Sequence, residues 1–369
     1  MGGTRARWHP ERVTTSPVPP LRQAVQQIPA YVPGARPQGA SAHKLSSNEN
    51  PFPPLPSVRA AVERAAGDLN RYPDMFATEL VGALARRHGV EPAQVVAGTG
   101  SVAVLGHVLQ AVCDAGDEVV HAWRSFEAYP ILVGLQGAVG VRVPLDAHGG
   151  HDLERMADAV TPRTRVLMLC TPNNPTGPAL HHTEVLDLLT AVPQDVLVVL
   201  DEAYVEFVRQ ADPLDSRAVL ASHPNVVVLR TFSKAYGLAG LRVGYALAHP
   251  EVARGIRTAS TPFGVNHLAQ VAALASLEAA DELAQRVDAV VAERERLVTG
   301  LRAQGWTVPD AQGNFVWLAT GARTADLAAD AAAQGVLVRP FAGEGLRISV
   351  GEPAANDAVL HVTSAWPTT

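Results

Sequence analysis

The sequence predicts an α/β fold: a large sheet covered by helices on both faces, followed by a smaller α/β unit of different rhythm. Three observations carry this. Short runs such as 166–170, 196–200 and 226–229 are apolar throughout instead of alternating, as strands buried on both faces are. Helical patterns separate most of these runs, which is the pattern of a layered α/β domain. After about residue 250 the rhythm changes to a long Ala/Leu-rich helical region and then to shorter pieces.

Taken in order, residues 1–20 are rich in Arg, Thr and Pro without periodicity and read as a mobile tail. Ser57 is the expected N-cap of a helix through Asp68. Thr78 precedes a second helix over 79–88, closed by Gly89. A short strand, Val95-Val96-Ala97, leads through Gly98-Thr99-Gly100 into a helix beginning near Ser101. That helix places Val104, Leu105, Val108, Leu109 and Val112 on one face. Strands are expected at 118–121, 166–170, 196–200, 226–230 and 243–248. One long helical region spans 267–304, with Ala/Leu spacing and then the charges Glu293, Arg294, Glu295 and Arg296, and reads as a long domain-connecting helix. Then follow strand 314–318, helix 324–334, strands 336–341 and 346–350, and a terminal helix from about Glu352. There is no internal repeat.

Composition narrows the function. The 369 residues are 47% hydrophobic, enough for a large core and more than one domain. A net charge of -6 with no basic stripe speaks against nucleic acid as a partner. No apolar run approaches the roughly 20 residues that span a bilayer, and no secretory signal is expected. Two cysteines, Cys113 and Cys170, exclude a disulfide framework and fit a reducing cytoplasm. The 13 histidines include the neighbours His181 and His182, but no cysteine cluster accompanies them, so no metal site is expected.

One segment carries chemistry above all others: Thr231-Phe232-Ser233-Lys234, followed by a Gly/Ala-rich turn and Arg242. A strand there delivers an amine between hydroxyls, with a guanidinium eight positions on. Hydroxyls and guanidinium suit a phosphate, and an amine desolvated beside cations forms imines near neutral pH. Together they suggest pyridoxal phosphate chemistry. Asp201 ends another apolar run, at the strand tip where ligands bind in parallel sheets, and suits a protonated pyridine nitrogen; its plainer role is a helix N-cap. Tyr204, three residues on, and Asn174, in the turn Thr171-Pro172-Asn173-Asn174-Pro175-Thr176-Gly177, can both reach a ring oxygen. The Gly98–Ser101 turn opens a helix whose free N–H groups favour phosphate. Phe126 can stack on a flat ring, or simply be core. Arg347 faces opposite to the apolar residues of its strand, where it is either a surface charge or a bidentate clamp for a carboxylate.

The segments Asn70-Arg71-Tyr72-Pro73, Asn173-Asn174-Pro175-Thr176-Gly177, Asp201-Glu202-Ala203-Tyr204, Ser233-Lys234-Ala235 with Arg242, and Leu346-Arg347 resemble, in order and spacing, those of the fold-type I pyridoxal phosphate aminotransferases. The likeness covers roughly residues 40–365. Within that fold the chain is similar to the histidinol-phosphate aminotransferase group. It is most like the actinobacterial aromatic amino acid aminotransferases, in Trp123-Arg124-Ser125-Phe126-Glu127 and Val338-Arg339-Pro340-Phe341-Ala342-Gly343.

The resemblance implies a three-layer α/β/α large domain on a mostly parallel mixed sheet, with a smaller α/β C-terminal domain. It implies a tail over 1–20, an arm over 21–50 packing on the active site, a cofactor-binding domain over 51–255 and a small domain over 256–369. It also implies roles. Lys234 carries the aldimine and shuttles the proton in a ping-pong exchange. Asp201 pairs with the pyridinium, while Asn174 and Tyr204 contact the ring oxygen. Ser101, the Val102 backbone, Thr231, Ser233 and Arg242 bind the phosphate, and Phe126 stacks on the ring. Tyr72 reaches the cofactor of the other subunit of an obligate homodimer. Arg347 holds the substrate carboxylate. The segment Ser46-Ser47-Asn48-Glu49-Asn50-Pro51 resembles the stretch that folds over the site.

The substrate reading turns on the loop after Arg339. An arginine there binds the second phosphate in histidinol-phosphate enzymes, so Arg339 is compatible with both substrates. Glu344, with no extra cation beside it, disfavours a phosphate, whereas Phe341 suits an aromatic side chain. The expected reaction is amino transfer between phenylalanine or tyrosine and 2-oxoglutarate, with histidinol phosphate as the alternative donor. A related decarboxylase is disfavoured by Arg347, and a ligand sensor fused to a DNA-binding module by the lack of a helix-turn-helix before residue 57.

Overall fold

The computed structural model of the chain describes residues 19–28, 34 and 42–368. Most of the expected tail, and parts of the expected arm, lie outside the described residues. Twelve strands fall into three sheets among the described residues. In chain order they are β1 (His43–Lys44), β2 (Val95–Gly98), β3 (Glu118–Trp123), β4 (Val139–Pro144), β5 (Thr164–Cys170) and β6 (Leu197–Asp201). After them come β7 (Val226–Thr231), β8 (Gly244–Ala248), β9 (Phe315–Leu318), β10 (Val336–Leu337), β11 (Arg339–Phe341) and β12 (Gly345–Ser349).

The central sheet has seven strands in the order β2-β8-β7-β6-β5-β3-β4. Only β8 runs against its neighbours, so the sheet is mixed and mostly parallel. Its inner strands β5, β6 and β7 are largely apolar because both faces are covered. Val198, Leu200 and Val228 enter one apolar cluster, while Leu197, Val199, Val227 and Leu229, the alternate residues, enter the cluster on the opposite face. The expected three-layer arrangement therefore holds. In the parallel part, β5 and β6 end in register at Cys170 and Asp201, and β7 runs two residues past Leu229, the partner of Asp201, to Thr231, which gathers polar groups into one crevice.

A second, antiparallel sheet in the order β11-β12-β9 carries its own apolar cluster, with Leu297, Trp306, Ile348 and Trp366. It faces the site through β11 and β12, where Arg339 sits directly opposite Arg347. The third sheet is a single parallel pair, β1 with β10. It ties residues 43–44 to the C-terminal part of the chain, and the bond from Ser349 N–H to the Leu45 carbonyl (2.9 Å) extends the tie. The segment Ser46-Ser47-Asn48 is delivered to the crevice as a result.

Several expectations change. Ser57 is not an N-cap: the helix Pro56–Ala65 begins at Leu55, with Pro56 at its first position, where fixed φ and a missing N–H cost nothing. The helix Thr78–His88 is capped by Asp74, whose carboxylate accepts from Thr78 N–H (2.7 Å) and Phe76 N–H (3.0 Å). Gly89 closes it with φ 66, as expected. The region 267–304 is two helices, His267–Glu278 and Ala280–Ala303, broken at Ala279. All residues around the break are good helix formers, so packing overrides propensity: the first helix lies against Pro56–Ala65 and the second against Pro353–Ser364. The expected strand 336–341 is two strands, β10 and β11, pairing with different partners. Strand β4 was not expected; it forms the sheet edge, is largely exposed, and carries no apolar run.

Gly244 marks how closely the sheet approaches the loop before Ser101. A Cβ there would meet Ser101 N at 2.5 Å, with Arg230 O and Gly100 C at 2.9 Å, all backbone. Gly244→Ala is expected to destabilise the chain by about 1–3 kcal/mol and to weaken cofactor binding, through displacement of the Ser101 turn. Denaturant midpoints and apoenzyme titration check both; an unchanged affinity with a lowered midpoint would confine the effect to packing.

Candidate active site

The crevice at the ends of β5, β6 and β7 encloses a cavity of about 280 Å³. Its walls include Ser101, Val102, Phe126, Asn174, Asp201, Tyr204, Thr231, Ser233, Lys234, Arg242, Arg339 and Arg347. Residues from widely separated stretches of chain thus meet in one place. Phe341 lies beside it, its ring 5.8 Å from the Arg339 guanidinium and 5.9 Å from that of Arg347. Tyr72 is elsewhere: it is 84% exposed and stacks at 4.8 Å on Phe263, away from the cavity of its own chain.

Lys234 follows β7 and is half-buried in the cavity wall. Its Nζ donates to the carbonyls of Ser47 (3.3 Å) and Asn48 (3.4 Å). Burial, with the nearby Arg347 and Arg242 charges, lowers its pKa to about 7, despite opposing pulls from Glu49 and Asp201. The amine is therefore substantially neutral near physiological pH. Asn50 fixes the lysine backbone by donating from Nδ2 to the Ala235 carbonyl at 2.8 Å.

Asp201 ends β6. It caps no helix; a 3-10 turn, Val205–Phe207, follows it. Oδ2 accepts from the Tyr129 hydroxyl at 2.8 Å, while Oδ1 is buried without a partner. Burial raises its pKa to about 6, against the stabilising bonds from Tyr129 and the Ala203 backbone. A buried, unpartnered carboxylate oxygen in a cavity wall calls for a donor from the ligand.

One end of the cavity is built from Ser101, Thr231, Ser233 and Arg242. Ser101 opens the helix Ser101–Val112, where free N–H groups and the helix dipole favour an anion. Arg242 takes φ 58 and reaches Ser233 Oγ at 3.4 Å, with Nη1 also held by the Ala239 carbonyl at 2.9 Å. Gly100 makes room for it, because a Cβ there would lie 2.7 Å from Arg242 Nη2.

Arg347 donates to Asn174 Oδ1 (2.7 Å) and to the Ser46 carbonyl (2.8 Å). With Oδ1 engaged, the Asn174 side chain keeps its NH₂ to donate. The Tyr204 hydroxyl accepts from Asn48 Nδ2 at 3.0 Å, and burial pushes its pKa up, so it remains a phenol.

These residues fit the pyridoxal phosphate that the sequence resemblance implies: an amine, an orphaned carboxylate oxygen, a phenol, an amide and an anion cradle line one cavity. Sequence reasoning assigned no individual role to three residues here: Asn48 and Glu127, which stood only within quoted segments, and Tyr129. Asn48, with φ 51, ties Tyr204 to Ser349 and offers its carbonyl to Lys234 and to Asn314 Nδ2. Tyr129 holds Asp201 from behind. Glu127 pairs with Arg339. Only a positive-φ asparagine beside a conspicuous motif could have hinted at the first; the others depend on distant parts of the chain.

The loop after Arg339 also corrects an expectation. Glu344 does have a cation beside it: Arg124 forms a two-point ion pair with it, while its guanidinium lies 4.2 Å over Trp123 and 5.5 Å from Phe341. Glu344 therefore presents no uncompensated negative charge to a ligand.

Residues 41–362 match the family model for aminotransferase class I and II. The chain is 56% identical over 350 residues to an aromatic amino acid aminotransferase of Streptomyces avermitilis, covering 94% of this chain and 98% of that protein. It is 55% identical over 352 residues to the protein of that description from Thermobifida fusca, with 95% and 98% covered. Among solved structures, the histidinol-phosphate aminotransferase of Sinorhizobium meliloti in complex with pyridoxal-5'-phosphate superposes with a TM-score of 0.85. It shares 30% identity, over 94% of this chain and 97% of that one. A Thermus thermophilus aspartate aminotransferase mutant superposes with a TM-score of 0.79 at 26% identity, over 93% and 99%.

Two outcomes test this geometry. Cofactor loading of the apoenzyme is expected to accelerate as pH rises through about 7, where Lys234 loses its proton. A rate that rises only near pH 10, where an ordinary lysine titrates, would contradict the burial effect. Tyr129→Phe removes one of the bonds that hold Asp201 anionic, and is expected to weaken cofactor affinity by about 10-fold, the scale of one hydrogen bond to a charged group. Unaltered affinity in a folded Tyr129→Phe chain would show that Asp201 does not need it.

Proposed function

This chain belongs to the aminotransferase class I and II family, and from that premise we propose that it moves the amino group of phenylalanine or tyrosine to 2-oxoglutarate, with pyridoxal 5'-phosphate as cofactor. The observation that carries the reading is the pairing, in one cavity, of a near-neutral Lys234 amine with the carboxylate clamp Arg347. The cofactor supplies an electron sink and a temporary carrier for the amino group.

Every other task falls to the chain. Lys234 Nζ takes the proton from the substrate Cα and returns it at the far end of the exchange. Asp201, whose Oδ1 is buried and without a protein partner, would hold the pyridine nitrogen in its protonated form. Tyr204 and Asn174 hold the ring oxygen, and Phe126 covers the ring face. Ser101, the Val102 backbone, Thr231, Ser233 and Arg242 bind the phosphate. Arg347 fixes the substrate carboxylate, which places the Cα hydrogen within reach of Lys234. Phe341 and Arg339 belong to the substrate side of the cavity.

The aromatic donor is supported by two relatives above 50% identity described as aromatic amino acid aminotransferases, and by the balance of charge at the mouth. Arg339 is paired with Glu127 and Arg124 with Glu344, so the charges there are balanced. An uncharged ring beside Phe341 leaves both ion pairs intact.

The protein acts as a homodimer in this reading, with Tyr72 completing the phosphate site of the second copy. Its exposure, beside exposed Leu69, Met75, Phe76 and Phe263, supports a covered face there. Both cysteines are free thiols, which supports a reducing, cytoplasmic setting. Among the described residues no helix is long and apolar enough to cross a membrane.

A donor panel of phenylalanine, tyrosine, histidinol phosphate and aspartate with 2-oxoglutarate tests the substrate. The aromatic pair is expected to lead in kcat/KM, and a wide lead for histidinol phosphate overturns that assignment. Lys234→Ala should lower turnover by about 10²–10⁴-fold or more, and retained turnover would sink the mechanism. Arg347→Ala should reduce kcat/KM for phenylalanine by roughly 30–1,000-fold, through loss of a charge-assisted two-point contact.

A further inference from the structure

The two arginines of the substrate side are placed alike but balanced differently. Arg339 and Arg347 face each other across the antiparallel pair of β11 and β12, and both are almost wholly buried in the cavity wall. Arg347 is met by neutral oxygens, from Asn174 and the Ser46 backbone. Arg339 instead donates from Nη2 to a carboxylate, Glu127 Oε2, at 2.7 Å. Glu127 stands next to Phe126 in the cavity wall and occupies the N-cap position of the helix Ala128–Gln136. It forms no side-chain cap bond there, and its side chain keeps 28% of its surface exposed. It therefore has a short path to water. The neighbouring Glu344 is held differently, by both nitrogens of the Arg124 fork.

Resting on the reaction proposed above, the same cavity must accept two unlike partners in turn. One has an uncharged ring and the other a second carboxylate. A buried guanidinium left without an anion is costly, and one permanently neutralised attracts no second carboxylate. We propose that Glu127 is an exchangeable counter-ion: it pairs with Arg339 while an aromatic substrate is bound, and swings into solvent when the distal carboxylate of a dicarboxylic acid takes its place on Arg339. The β11–β12 pairing then aims one guanidinium at each end of the dicarboxylate. Glu127 is thereby a specificity-determining residue, setting how strongly the dicarboxylate competes with the ring.

The test separates binding from turnover. Holoenzyme is titrated with two unreactive analogues, glutarate for the dicarboxylate and 3-phenylpropionate for the ring, and followed by the change in cofactor absorbance. Glu127→Gln keeps size and a hydrogen-bond acceptor but removes the charge. It is expected to tighten glutarate about 3–10-fold and to leave 3-phenylpropionate unchanged or weaker. The Michaelis constant for 2-oxoglutarate should fall in parallel with the glutarate affinity. Glu127→Asp, which restores a carboxylate, should return the ratio toward that of the parent, and Glu127→Gln should shift nothing in an Arg339→Gln background. An unchanged glutarate to 3-phenylpropionate ratio, or a shift that persists without Arg339, overturns the proposal. Failure of the underlying function is seen separately, as absent transfer between phenylalanine and 2-oxoglutarate in the parent enzyme.

Discussion

Three successive backbone carbonyls hold the site together. Ser46 O accepts from Arg347, while Ser47 O and Asn48 O accept from Lys234. Arg347 keeps its charge beside the near-neutral Lys234 amine, and the carbonyl dipoles satisfy the donors of both without adding a charge that would raise the lysine pKa. A carboxylate in that place would raise the lysine pKa and compete for the arginine. The carbonyls are aimed by the two-residue pairing of β1 with β10 and by the Asn48–Ser349 bonds, so a very short strand governs the electrostatics of the centre.

Charge at the mouth follows a second logic. The mouth carries two arginine–glutamate pairs whose members lie 212 and 220 positions apart in the chain. One pair is stacked between Trp123 and Phe341, which makes it part of the wall. The other, Arg339 with Glu127, is the less exposed of the two, at 7% and 28% of the side chains against 19% and 38%.

Much of this was legible in the sequence because the informative groups sit at strand ends. The apolar runs ending at Asp201 and Thr231 announce both the strands and the carboxyl edge of the sheet, and Arg347 stands out as a charge between Leu346 and Ile348. What stayed hidden depends on contacts across the chain. Tyr129 reads as one more apolar-face residue until Asp201 is placed against it. Glu127 looks like a helix-start acid, and Asn48 like a turn residue. The edge strand β4 lacked a signal because one side of it meets solvent, so nothing selects for apolar residues. The break at Ala279 is invisible because alanine and glutamate favour helix, and only the packing of the two halves on different neighbours interrupts it.

Cys170 closes β5 in the cavity wall, directly below the space where an aldehyde-bearing cofactor is expected. A thiolate there would add to such a carbonyl and sequester it. Burial, reinforced by the adjacent Asp201 charge, pushes this thiol up to about 12, and its hydrogen is turned toward the Pro172 carbonyl at 3.4 Å. The same desolvation that frees the Lys234 amine of its proton therefore fastens the proton on the sulfur. One dry cavity sorts two potential nucleophiles by the sign of their charged forms, and leaves the carbonyl chemistry to nitrogen alone.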